Sequence, residues 1–332
     1  MTNTSVSQDV TGTMNVLIWS DMEGPSGIDD REMFADETMY KIARSHATQD
    51  VNAAIQGIRK VDVQANIGIF DGHGMGGNLL EKELESGCDL LGGGWMTRFY
   101  QMVKSREVAK YDGVLLLGQH AAEGTVDGFM SHTNTGDTAL RVNGKDAGEA
   151  PQLAWLFGHF NVPVVLLVGD DAVVREANAL LPGIETVSVK RAIARDKAKS
   201  IPPEVAHKLI REASCKAVSD LEAFKPQRVS FPVRIDILYS EKQMASTAAR
   251  FPGTERTGEY KVTYIADDYL EGWLAYNTCR VVSRMHILED LSMFVVKALT
   301  DDMQQVRERK REWEEQRRKR KKREQPFPPV KY

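Results

Sequence analysis

The sequence has few cysteines, no long apolar run and no lysine-containing phosphate loop. Its three cysteines, Cys88, Cys215 and Cys279, are too few and too widely spaced for a disulfide framework or a zinc ribbon. The longest apolar run, Val162 to Val168, has seven residues and is far too short to cross a bilayer. The glycines from Gly72 to Gly77 are not followed by Gly-Lys-Ser/Thr, which excludes a nucleotide-binding phosphate loop at this place.

Residues 1–13 lack both the basic segment and the apolar core of a signal peptide. They are polar and rich in Ser, Thr and Asn, which is typical of disordered segments. We therefore expect a disordered leader on a cytoplasmic protein that makes no membrane contact.

The size and composition of the chain are those of an ordinary globular protein. At about 150 residues per domain, a length of 332 residues predicts two domains or one large one. Apolar residues make up 42% of the chain and charged residues 27%, so the chain can build a core without disulfides.

The net charge of −4 conceals an asymmetry between the body of the protein and its C-terminal segment. Residues 307–323 contain eleven Lys or Arg and four Glu, a local charge of +7, so the rest of the chain carries −11. The spacing of the charges is helical, and the simplest interpretation is an exposed helix with a solvated end. Contact of residues 307–323 with nucleic acid or an acidic partner surface is the alternative, which we do not favour.

Four short apolar runs without alternation predict strands that are buried on both faces. They are Val16–Trp19, Ile67–Phe70, Val114–Leu117 and Val164–Val168. Between the first two runs, apolar residues recur at helical spacing. The predicted fold class is α/β, with a mostly parallel sheet flanked by helices.

The sequence pattern changes after about residue 184. Val233, Ile235 and Ile237 alternate with polar residues, which is typical of half-exposed strands. Ser200 is placed to cap a helix that has proline in its first turn. We therefore expect a smaller mixed α/β C-terminal region, followed by a charged helical tail.

Polar side chains follow three of the predicted strands at the point where each strand ends. Asp21 and Glu23 follow the first strand, Asp71 and His73 the second, and His120 the third. The carboxyl ends of strands in an open α/β sheet lie at one edge, where such proteins bind their ligands. The sequence therefore predicts a ligand site at this edge.

Two further candidates, His132 and Glu149, lie downstream on a segment interrupted by glycine. Imidazoles and carboxylates are typical ligands of Zn²⁺ and related cations. The candidates outnumber the ligands of one catalytic zinc with an open position, and a carboxylate can bridge two cations. A site with two metal ions is therefore favoured.

Each of these residues also has an ordinary structural explanation. Asp21 and Glu23 would favour a helix N-terminus. Asp170 and Asp171, after the fourth strand, are expected to cap a helix, with support of a metal site as the second possibility. His46 is interpreted as a structural residue of a helix. The recurrence of candidate ligands at three strand ends is what favours a joint metal site.

On this basis the chain divides into four segments. They are a disordered leader (1–13), a metal-binding α/β domain (14–183), a C-terminal α/β region (184–300) and a charged, basic helical tail (301–332).

The strand-end residues belong to a series of different short motifs along the chain. The first is SDMEGPSG at 20–27, and the second is Asp71-Gly72-His73. Further motifs are Gly118-Gln119-His120-Ala121, Met130-Ser131-His132-Thr133, Gly148-Glu149, Gly169-Asp170-Asp171 and Lys190. In order and spacing, from roughly residue 15 to 285, they resemble the motifs of DppA-type D-aminopeptidases, which are binuclear zinc metallopeptidases. In that family a serine commonly stands at the position of Gly72.

The resemblance implies a role for each candidate residue. Asp21 would bridge two zinc ions, Glu23 and His120 would complete one site, and His73 and Glu149 would complete the other. His132 would be the catalytic residue that is not a ligand, either as an acid or base or as a nucleophile. The family forms ring-like homo-oligomers, so the resemblance implies a homo-oligomer of ring shape.

The function expected from these features is that of a metal-dependent aminopeptidase or amidohydrolase. It is expected to cleave short peptides with N-terminal D-amino acids through a zinc-activated water, with two Zn²⁺ per subunit. Glu123, Asp127 and the metal pair are the candidates for binding the free amine of the substrate. A binuclear-metal phosphoesterase, or a nucleic-acid- or partner-binding protein acting through its basic tail, remains the alternative.

Overall fold

A computed structural model describes residues 13–285. Most of the predicted leader (1–12) and the whole predicted tail (301–332), with its basic residues 307–323, lie outside the described residues. The chain divides into two compact units, one ending at Phe231 and the other starting at Pro232. Between residues 13 and 285, no helix combines the length and hydropathy of a membrane-spanning segment.

The first unit contains a seven-stranded sheet of order β3-β2-β1-β4-β7-β8-β9, in which all neighbours are parallel except β8 and β9. Strands β5 and β6 of this unit pair as an antiparallel hairpin. The strands are β1 (Asn15–Ser20), β2 (Asn66–Asp71), β3 (Asp89–Leu91), β4 (Gly113–Gln119), β5 (Thr138–Val142), β6 (Lys145–Asp146), β7 (Val164–Asp170), β8 (Glu185–Ala194) and β9 (Lys197–Ser200).

The four predicted apolar runs form the centre of this sheet, as β2, β1, β4 and β7. Every residue of β4 and β7 is buried, because helices cover both faces of a parallel sheet. The predicted α/β fold with a mostly parallel sheet is confirmed.

Five α-helices belong to the first unit: α1 (Glu37–Val61), α2 (Tyr100–Lys104), α3 (Glu149–His159), α4 (Asp171–Leu180) and α5 (Pro203–Ser219). The long helix α1 buries an apolar face that includes Ala47, Val51 and Ile58. It approaches α5 closely at Gly57, where an added Cβ would lie 2.4 Å from the carbonyl oxygen of Arg211.

Residues 184–231, assigned from the sequence to the C-terminal region, extend the first unit instead. The reason is that β8 pairs in parallel with β7 and so continues the central sheet. The prediction that Ser200 caps α5 is wrong. Helix α5 is preceded by Pro202, whereas the Ser200 hydroxyl donates to Asp29 Oδ1 at 2.5 Å and accepts from the Gly27 N–H at 2.9 Å.

Within residues 232–285, the second unit contains an antiparallel sheet and two helices. Strand β10 (Val233–Tyr239) pairs with β12 (Lys261–Ala266), which also pairs with β11 (Thr254–Gly258). Helices α6 (Lys242–Ala248) and α7 (Tyr269–Ser283) complete it. In β10, Val233, Ile235 and Ile237 are fully buried and Arg234 is exposed, as predicted, but Asp236 is buried as well, so the strand alternates only in part.

Candidate metal centre

The order of the parallel strands brings the predicted residues together. Because β1 lies between β2 and β4, the loops that follow these three strands meet at one edge of the sheet. They carry Asp21, His73 and His120, while Glu149 arrives as the first residue of α3. Asp21, Glu23 and His120 are almost fully buried.

Two groups of three side chains share Asp21. Its Oδ1 lies 3.0 Å from His73 Nδ1, and that nitrogen lies 3.1 Å from Glu23 Oε2. Its Oδ2 lies 3.6 Å from His120 Nε2, which is 3.4 Å from Glu149 Oε1. The two oxygens of one carboxylate therefore face two different sets of ligand atoms.

The resemblance implied that Glu23 and His120 complete one site and that His73 and Glu149 complete the other. In the structure, ligand atoms of Glu23 lie near both His73 and His120, and His120 also lies near Glu149. The assignment of each side chain to one cation therefore stays a prediction.

His132 lies against the same centre but is more accessible. Its Nδ1 lies 2.8 Å from the Met130 carbonyl, to which it can donate, so its Nε2 faces Glu149 Oε1 at 3.8 Å and Glu23 Oε1 at 4.0 Å. Its ring stacks on that of His120 with a centroid distance of 4.0 Å. The side chain is 25% exposed, so His132 borders both the centre and the solvent.

The centre has a strongly negative potential. Burial and the charge of Glu23 raise the pKa of Asp21 to about 7. Burial disfavours the charged form of His73, but Glu23 and Asp21 outweigh it and raise the pKa of His73 to about 12. Burial alone would raise the pKa of Glu149, yet His120 and His132 lower it to about 2. These carboxylates therefore stabilise positive charge between them.

The donor set fits a zinc pair. In each group of three, the carboxylate oxygens and imidazole nitrogens lie within 4.8 Å of one another. Three protein ligands per ion leave the open position that a catalytic zinc needs. A third group, Glu23, His120 and His132, meets the same criterion, but it takes two of its members from the other groups.

The loop that carries Asp21 and Glu23 is fixed by two buried charged residues. Lys190 Nζ donates to the carbonyls of Glu23 and Ile28, both at 2.6 Å. Asp50, on α1, accepts from the Ser26 N–H and hydroxyl, both at 2.7 Å. The sequence reasoning missed Asp50, although an aspartate on the apolar face of a predicted helix was a signal.

Two of the sequence candidates support the site without joining it. Asp170 caps α4 by accepting from the Val173 N–H at 2.8 Å, and it also accepts from the Phe129 N–H in the segment leading to His132. Asp71 accepts from the backbone and side-chain N–H groups of Asn78 and shapes the loop after His73.

Gly72 and Trp19 fit each other by size. A Cβ at Gly72 would lie 2.2 Å from the indole Nε1 of Trp19, so a serine cannot stand here beside this tryptophan. The indole stacks on Phe70 at 4.6 Å. The indole of Trp19 in β1 therefore fills the space that a serine side chain at position 72 would need.

The two carboxylates expected to bind the substrate amine are engaged with arginines. Glu123 accepts from Arg195 at 3.2 Å, and Asp127 pairs with Arg175. The carboxylates nearest to the candidate reaction centre are therefore those of the centre itself.

Comparisons with known proteins identify the family of this chain. A sequence model of the D-aminopeptidase family matches residues 14–278. A D-aminopeptidase of Bacillus subtilis (strain 168) is 30% identical over 270 residues, which is 79% of this chain and 95% of the relative. The solved structure of the Zn-dependent D-aminopeptidase DppA from Bacillus subtilis, described as a self-compartmentalizing protease, superposes with a TM-score of 0.73. It is 28% identical and covers 81% of this chain and 98% of its own.

Proposed function

This chain belongs to the D-aminopeptidase family, and we propose from that premise that it hydrolyses short peptides with an N-terminal D-residue. It is a metal-dependent aminopeptidase by family. The observation that carries the proposal is the division of the Asp21 carboxylate between two sets of ligand atoms. The phosphoesterase and nucleic-acid-binding alternatives receive no support from the comparisons.

In this proposal Asp21, Glu23 and His73 hold one zinc ion, and Asp21, His120 and Glu149 hold the other. Such a pair supplies Lewis acidity for the scissile carbonyl and lowers the pKa of water toward neutrality. The His120 Nδ1 lies 3.1 Å from the Ala121 carbonyl, so its Nε2 is the nitrogen turned to Asp21 and Glu149. The ring is thereby oriented by the backbone of its own loop.

His132 moves a proton at the reaction centre. Its Nδ1–H donates to Met130, so its Nε2 is free to hold a proton and deliver it to the leaving amine. Imidazole suits this task because its ordinary pKa is near 6.5. Its position between the carboxylates and the solvent allows it to recover a proton after each turnover.

The free amine of the substrate is bound by the centre itself in this proposal. Glu123 and Asp127 have arginine partners, so the metal pair and its carboxylates are the groups left for the amine. The self-compartmentalizing relative favours a homo-oligomer. A ring shape and a cytoplasmic location stay predictions.

The proposal is tested by assaying D- and L-alanine p-nitroanilide beside a phosphodiester, before and after chelation. We expect hydrolysis of the D-aminoacyl substrate that is lost with chelator and restored by zinc. Inactivity on every aminoacyl substrate, or activity that survives complete metal removal, would contradict it.

The role of His132 is tested by His132→Ala. We expect two zinc equivalents to remain while turnover falls by about 10²- to 10⁴-fold, as for a lost proton-transfer group. The matched control is His159→Ala, at the far end of α3, where the ring packs edge-on against Phe160. Loss of zinc from His132→Ala would instead identify His132 as a ligand, and near-normal turnover would refute its catalytic role.

A further inference from the structure

A cavity of about 520 Å³ adjoins the metal centre. Glu23 and His132 lie on its wall, so it opens directly onto the candidate reaction centre. Two arginines, Arg31 and Arg195, also line it, together with Asp196. A site for a small ligand in proteins commonly has this size and a few charged groups that fix orientation.

The two arginines are held next to the cavity by one turn. Residues 195 and 196 join β8 to β9. The Met130 N–H donates to the Arg195 carbonyl at 2.7 Å, which joins the turn to the segment that carries His132. The Arg31 N–H donates to the Asp196 carbonyl at 3.0 Å. The turn is therefore bonded both to Arg31 and to the segment that carries His132, and both residues line the cavity.

The charges of the two arginines are not equally available. The Arg195 guanidinium donates to Glu123 at 3.2 Å and to the Ser131 carbonyl at 3.3 Å. Within residues 13–285, the Arg31 guanidinium has no ion pair or hydrogen bond, although Asp196 lines the same cavity. Arg31 is therefore the cation that a bound anion can engage.

The proposed reaction determines which part of the substrate lies in this cavity. If His132 protonates the leaving amine, the residue released from the peptide lies next to His132. In a dipeptide, the carboxylate of that residue is separated from the scissile nitrogen by only one carbon atom. The free carboxylate of a dipeptide therefore occupies the cavity, whereas a longer peptide carries its carboxylate further away.

We propose that Arg31 binds the terminal carboxylate of the released residue and so makes the enzyme selective for dipeptides with a free C-terminus. This inference rests on the proposed function, because it takes the direction of the substrate from the role of His132. A guanidinium is suited to this role, since its planar donors match the two oxygens of a carboxylate.

The test compares the dipeptide of two D-alanines with the same dipeptide amide. For the wild type we expect kcat/KM to favour the acid by about 10- to 100-fold, as for one hydrogen bond to a charged group. In Arg31→Gln, the kcat/KM values of the acid and the amide should lie within about threefold of each other. Arg31→Lys should restore part of the preference for the acid, because lysine keeps the charge but loses the planar donors. The matched control is Arg191→Gln, an exposed arginine of β8 outside the cavity, which should keep the wild-type ratio.

Binding gives a second measurement that does not depend on turnover. In the His132→Ala background, calorimetric titration with the dipeptide acid should show a Kd about 10- to 100-fold weaker after Arg31→Gln. Equal cleavage of acid and amide by the wild type, or an equal loss for both substrates in Arg31→Gln, would overturn the inference while leaving the proposed function standing. Failure to cleave either substrate with zinc present would overturn both.

Discussion

The close approach of the β1 and β4 ends at Gly118 gives a sharp test of how the centre is built. Gly118 has a φ of +70°, and an added Cβ would lie 2.2 Å from the Asp21 carbonyl oxygen. The Asp21 N–H also donates to the Leu117 carbonyl at 2.9 Å, so the two loops are in direct contact. Gly118→Ala must therefore displace the loop that carries Asp21 relative to the end of β4.

The magnitude follows from two costs. The left-handed conformation costs an alanine about 1–2 kcal/mol, and overpacking a tight site adds about 1–3 kcal/mol. We expect Gly118→Ala to lower the free energy of unfolding by about 2–5 kcal/mol and to bind fewer than two zinc equivalents. The assays are urea denaturation at fixed protein and zinc concentrations, and metal quantification of the purified variant.

Gly183→Ala is the matched control for the backbone cost alone. Gly183 has a φ of +90° but no atom within 4 Å of an added Cβ, and it lies in the turn between α4 and β8. We expect a loss of about 1–2 kcal/mol with full zinc content. Equal losses in the two variants, or full zinc content in Gly118→Ala, would refute the argument that this contact positions Asp21.

Two further predictions concern the metals and the thiols. Asp21→Asn should hold less than one zinc equivalent. Bound zinc stabilises the wild type by about 2.7 kcal/mol at a hundredfold excess over Kd, so chelation should lower the thermal midpoint of the wild type much more than that of Asp21→Asn. Two retained zinc equivalents in Asp21→Asn would exclude the bridging role of Asp21. Burial raises the pKa of the Cys279 thiol to about 12. A thiol-specific disulfide reagent at pH 8 should therefore modify Cys88 and Cys215 in the native protein, and Cys279 only after unfolding. Rapid reaction of all three thiols in the native protein would contradict the described packing.

The central strands could be predicted because burial on both faces leaves a continuous apolar run. The run at Val164–Val168 coincides with the first five residues of β7 for this reason. Strand β3 gave no such signal, since it is a three-residue edge strand whose residues are only partly buried. Strand β8 is exposed at several positions, and its polar residues led to a boundary near residue 184.

The ligand set could be named from the sequence because parallel strands end at a common edge. The division of these ligands could not be derived in this way, because it depends on which side chains lie on neighbouring strands. Sequence spacing also gave no sign that Arg195 lies beside His132, since the contact depends on the return of the β8–β9 turn to the Met130 segment. The complementarity of Gly72 and Trp19 is a tertiary contact of the same kind.

The candidate ligands come from four stretches of chain that extend from Asp21 to Glu149. An unfolded chain cannot gather them, because closing such long loops costs more entropy than a single flexible ligand pair recovers. During synthesis, the cation held by Asp21, His120 and Glu149 cannot be captured with its full ligand set until the start of α3 has left the ribosome. Binding of both cations would thus report that the ends of β1, β2 and β4 have met the start of α3.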